Sequence, residues 1–118
     1  MAAENISDSI LTSVKKLLGL TEEYDAFDVD IIMHINSVFT ILTQLGIGPS
    51  DGFMIEDKNN KWSEFIEDMR LYQLVKSYVW LKVKILFDPP MSSAVMECYK
   101  AQINEYECRL RTVSETED

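Results

Sequence analysis

The side chains that most often do chemistry are few in this chain, and their spacing does not bring them together. His34 is the single histidine; at helical period it falls with Asp30, Ser37 and Gln44 on a polar face, without the partners a metal site needs. A solvated histidine is the simplest reading. Cys98 and Cys108 are the only cysteines, and both fall in one apparent helix, where ten residues of rise set them about 15 Å apart. A disulfide tolerates roughly 7 Å between Cα atoms, so they read as two half-buried thiols in a reducing compartment. The pairs Glu22-Glu23, Glu67-Asp68 and Glu115 with Glu117 read as solvated charge. Three of the four glycines sit between Gly46 and Gly52, yet neither there nor in the turn-like Asp57 to Lys61 is there a phosphate-cradling pattern. Without a nucleophile beside a base, or metal spacing, no catalytic site can be assembled. The expectation is a protein that is not an enzyme and carries no cofactor.

The elements are more informative than the reactive groups. From Glu64 to Phe87 the spacing predicts one long hydrophobic central helix, stopped by Asp88-Pro89-Pro90. Phe65, Met69, Tyr72, Val79, Val83 and Leu86 form one apolar stripe, and Leu71, Leu74, Tyr78, Leu81 and Ile85 form a second beside it. Only Gln73, Lys76, Ser77 and Lys84 make a polar strip, with Trp80 set in it. A surface helix needs one apolar stripe of roughly 100°. The second stripe must be covered by other segments of the chain, by a partner, or by further copies of the chain.

Before it, residues from about Ser7 to Gly19 read as a first helix, capped by Ser7 or Asp8, with Ile10, Leu11, Val14, Leu17 and Leu18 on one face. After a short acidic linker, a second helix runs from Phe27 or Asp28 to Leu45, with Ile31, Ile32, Ile35, Val38, Phe39, Leu42 and Leu45 as its buried face. The Gly/Pro-rich loop from Gly46 follows, then Phe53-Met54-Ile55 and Trp62 in an ordered loop or a short β-hairpin. A last helix starts at Ser92 or Ser93. Its Met96, Tyr99, Ile103, Tyr106, Leu110 and Val113 keep a heptad seam, and Glu105 with Arg109 and Glu107 with Arg111 make i,i+4 pairs. The fold class is mainly α: a small four-helix domain over 1–118, with a flexible N-terminus at 1–6 and a flexible acidic tail at 112–118.

Net charge is −9 over 118 residues, and it is uneven. Residues 1–57 carry ten acids against Lys15 and Lys16, while residues 58–118 carry ten acids against nine bases. Affinity for nucleic acid built on phosphate neutralisation needs clustered Lys and Arg, so such a chain repels DNA or lets it pass. No apolar run reaches the roughly 18 residues of a membrane span, and the first residues lack a basic region ahead of an apolar block. The chain is expected to stay in the cytoplasm where it is made.

This order of elements, with the closing phrases Leu86-Phe87-Asp88-Pro89-Pro90 and Ile103-Asn104-Glu105-Tyr106-Glu107-Cys108-Arg109-Leu110, resembles the small head-to-tail connector (adaptor, head-completion) proteins of long-tailed double-stranded DNA bacteriophages or prophages. The likeness covers about Ile10 to Leu110 and rests on order and spacing. It implies a ring, twelve-fold in the family, that docks beneath the portal of a filled head, extends the DNA channel and presents a platform to the next head-completion or tail protein. The implied partners are the portal protein, that downstream protein and further copies of the chain, the ring forming alone or templated by the portal. DNA would pass without specific binding, and the location would be the virion, after assembly in the host cytoplasm. The resemblance implies that Leu71, Leu74, Tyr78, Leu81 and Ile85 face a neighbouring subunit, that Tyr99, Ile103, Tyr106 and Leu110 carry contacts of the last helix, and that Arg109, Arg111 and the tail reach the portal. The loop from Gly48 to Lys61 would be the opposite or channel-facing surface. The acidic first half and the short tail depart from the pattern. The alternative is a small cytoplasmic helical protein-binding or regulatory module working through its heptad face. A ring needs a heterologous interface that closes, whereas a dimer needs one self-complementary face.

Overall fold

Helix ends follow from local chemistry. In the computed structural model, which describes residues 8 to 116, the chain forms α1 (Ile10–Leu17), α2 (Asp28–Gln44), α3 (Met69–Phe87) and α4 (Ser93–Thr116). The hydroxyl of Ser9, rather than that of Ser7 or the carboxyl of Asp8, accepts the Thr12 N–H at 3.2 Å and caps α1. Just past α1 and α2 stand Gly19 and Gly46 at φ of +88° and +89°, the left-handed geometry that stops a helix cheaply only with glycine. At the start of α4 the Ser92 hydroxyl accepts the Val95 N–H at 3.3 Å.

The central helix begins later than the apolar spacing predicts. Its N-cap is Asp68, whose carboxylate accepts the Arg70 N–H at 2.9 Å. Trp62–Glu64 is instead a 3-10 turn, after which Phe65 and Ile66 enter the core from irregular backbone. Among the described residues there is no strand. The segment that could have been a hairpin is an ordered loop, bridged once between Ser9 and Lys61. Asn36 on α2 does the work of a strand neighbour for it, donating to the Ile55 carbonyl at 3.1 Å and accepting the Ile55 N–H at 2.8 Å.

One core joins all four helices and this loop. α3 packs against α1, α2 and α4, which accounts for its two stripes: Tyr72, Val79 and Val83 of the first and Tyr78 and Leu81 of the second are all buried. The ends of the first stripe stay open, with Met69 and Leu86 half exposed. The α4 seam is the cover for much of the second stripe. Ile103 and Leu110 are buried, and Met96, Tyr99, Tyr106 and Val113 are half buried. The Cα radius of gyration of 14.0 Å is close to the roughly 13.5 Å of a closed domain this long, so α4 lies along the bundle rather than projecting from it.

The flexible acidic tail expected over 112–118 is helix as far as Thr116. Ser114 lies close against Gly46, where an added Cβ would collide with its hydroxyl. Residues 117 and 118, and the flexible N-terminus expected at 1–6, lie outside the described residues. At the opposite end of α2, Lys15 is buried and its ammonium reaches the Asp28 carboxylate at 2.9 Å and donates to the Glu22 carbonyl at 3.0 Å. That pair fixes the acidic linker between α1 and α2 in place.

Candidate assembly interface

The residues expected to meet partners divide by depth. Tyr78, Leu81, Ile103 and Leu110 lie inside the domain; they hold α4 on α3, and the cover they need is supplied by their own chain. Leu71, Leu74, Ile85, Tyr99 and Tyr106 are half buried at the margins of that contact. Arg109 and Arg111 are exposed. Arg109 makes the anticipated pair with Glu105, at 2.9 Å, but Glu107 turns inward instead of pairing with Arg111: its carboxylate accepts from the Tyr78 hydroxyl at 2.7 Å.

Burial pushes the Tyr78 phenol well above its ordinary pKa, and the hydrogen bond and charge of Glu107 push it further in the same direction. The neutral phenol is the form the fold needs. Its contribution is therefore complete below the unfolded value of about 10 and is lost as pH rises above it. Tyr78→Phe should lower stability by about 1–2 kcal/mol at neutral pH. Urea titrations of both proteins at increasing pH should show that difference shrinking above pH about 10. A constant difference would mean that the phenol does not titrate against the fold.

The cysteines are placed differently from the expectation. With the seam positions turned to α3, Cys98 and Cys108 are both exposed on the outer side of α4. His34 is half buried on α2. Among the described residues no group of three or more His, Cys, Asp and Glu is arranged to hold a metal ion, and no described helix is long and apolar enough to cross a membrane.

Three surfaces that single-helix periodicity could not reveal remain open. The first is a groove of about 430 Å³ where α2, α3 and α4 meet, lined by Val38, Ile41, Ile85 and Leu86 and by the ammonium-bearing stems of Lys82 and Lys100. The second is the outer face of α2, where Val29, Met33 and the loop residue Met54 are 80%, 57% and 68% exposed. Apolar side chains this open mark binding surfaces when they are contiguous, and these three border one shallow depression. The third is the linker ahead of α2, where Tyr24 and Phe27 are exposed among Glu22, Glu23, Asp25 and Asp30. In the loop from Gly48 to Lys61 the side chains of Asp51, Glu56, Asp57, Lys58 and Lys61 are exposed, while Ile55 anchors it in the core.

Compared with known proteins, residues 10–117 match the family model described as phage connector protein. No curated protein and no solved structure matches the chain.

Proposed function

This chain belongs to the phage connector family, and from that premise we propose that it is a structural ring component at the head-to-tail junction of a virion. The carrying observation is the family match, which runs from the first residue of α1 past the last described residue of α4. In this reading about a dozen copies sit beneath the portal, extend its channel and receive the next head-completion or tail protein. The charge distribution supports it. With a net charge of −9, the chain suits a wall past which a polyanion slides, because little phosphate is neutralised and few counterions are released. In this reading the buried residues of the α3 to α4 seam hold the subunit together, and the exposed Arg109 and Arg111 and the open apolar surfaces carry the contacts between proteins.

Molar mass by light scattering across a concentration series, first alone and then with the portal from the same genome, tests this. A discrete large ring, or co-migration with the portal, is expected. A persistent monomer or dimer that ignores the portal would overturn the reading in favour of a small helical binding or regulatory module.

A further inference from the structure

We infer that neighbouring copies join head to tail, the acidic segment 22–30 of one copy entering the groove between α2, α3 and α4 of the next. The inference rests on the ring reading and names the contact that reading lacks. The groove asks for an occupant with apolar anchors and negative charge: its walls are Val38, Ile41, Ile85 and Leu86, and its only charged lining residues are Lys82 and Lys100. Each lysine has a carboxylate of its own chain nearby but loosely, Glu107 at 4.0 Å from Lys82 and Glu97 at 3.8 Å from Lys100. Both ammonium groups therefore keep donors for a neighbour.

The chain itself contains the matching segment. Residues 22–30 read EEYDAFDVD, five acids and no base, and carry Tyr24 and Phe27 at 46% and 40% exposure. The segment cannot serve its own groove, because Lys15 ties down Asp28 and the Glu22 carbonyl and Phe27 rests edge-on against Phe87 at 5.3 Å. Its exposed side chains are open to another copy. The sign of the charges also selects the symmetry. Groove against groove would face lysine with lysine, and segment against segment would face acid with acid, so the self-complementary pairing of a two-fold dimer is disfavoured. Segment into groove is heterologous, the kind of contact that closes into rings.

An equal mixture of unlabelled and ¹⁵N-labelled full-length protein, assembled alone or on the portal and treated with a carbodiimide that couples amines to carboxylates, tests it. Mixed-isotope links from Lys82 or Lys100 to Glu22, Glu23, Asp25 or Asp30 are expected. Assembly with mixed-isotope links only elsewhere, or with the two lysines linked to the portal, overturns the inference while the ring reading stands. Absence of any large species, with or without the portal, sinks the ring reading and the inference with it. Two charge-reversed proteins give an independent check. Lys82→Glu/Lys100→Glu and Glu22→Lys/Glu23→Lys/Asp25→Lys/Asp30→Lys, which keeps Asp28 for Lys15, should each assemble at least about tenfold more weakly, with unchanged circular dichroism, since each now faces like with like. Mixed together they should recover, because every contact between the two types is again of opposite charge. Undiminished assembly of either protein alone, or no recovery on mixing, would refute the segment-in-groove contact.

Discussion

Trp62→Ala is expected to bring the domain to the edge of unfolding. The indole is fully buried, with its ring centroid 6.3 Å from that of Phe39 on α2 and 5.8 Å from that of Tyr72 on α3. Its N–H donates to the Ser13 hydroxyl on α1 at 3.2 Å. Backbone bonds on either side reinforce the junction, the Ile10 N–H donating to the Asn60 carbonyl at 3.0 Å and the Trp62 N–H to the Asp8 carbonyl at 3.2 Å. One side chain thus links three helices to a loop that has no sheet to hold it. Truncating a buried tryptophan costs about 3–5 kcal/mol, out of roughly 5–15 kcal/mol for a whole domain. At this chain length that corresponds to about 12–20 °C in melting temperature. Thermal denaturation followed by circular dichroism measures it. A fall of less than about 4 °C, worth roughly 1 kcal/mol, would mean that the loop is held by its backbone bonds and by Asn36 instead.

That junction also marks where the fold stopped being legible in the sequence. Within a helix, periodicity is a strong signal: of the face predicted for α2, Ile31, Ile35, Val38, Phe39 and Leu42 are buried, and every position of the α4 seam turns inward. The glycine stops at 19 and 46 follow equally local rules. Residues 53–66 obey no period, because their burial is decided by α1, α2 and α3 packing around them. Ile55, Trp62, Phe65 and Ile66 are all core, and apolar spacing alone counted Phe65 into a helix that starts after Asp68. The cap at Asp68 was readable as an acid ahead of an apolar run; the 3-10 turn was not. Lys15 and Glu107 teach the same lesson for charge. A lysine or glutamate in a helix reads as solvated, yet one is buried against Asp28 and the other turns to a buried phenol. Of the candidate interface, Arg109 and Arg111 were legible as surface residues. The groove was not, since its walls come from three different helices brought together only by the fold.

Gly48→Ala should cost nearly as much as losing the tryptophan, for a reason no helix pattern contains. Gly48 has φ of +88°, where an alanine gives up about 1–2 kcal/mol of backbone energy. A Cβ there would also run into the ring of Phe65. That ring is held in a cluster: it is buried, with its centroid 4.6 Å from that of Phe39 and 5.3 Å from that of Phe53. Overpacking of this kind costs typically about 1–3 kcal/mol, so the two terms together come to roughly 2–5 kcal/mol. Gly52 supplies the control, since at φ of +94° it has nothing within 4 Å of an added Cβ. Gly52→Ala should therefore show the backbone term alone, and in a chemical denaturation series the gap between the two variants measures what Phe65 resists. If both lose the same stability, the Phe39, Phe53 and Phe65 cluster yields freely, and the loop from Gly48 to Lys61 is a softer surface than its anchors suggest.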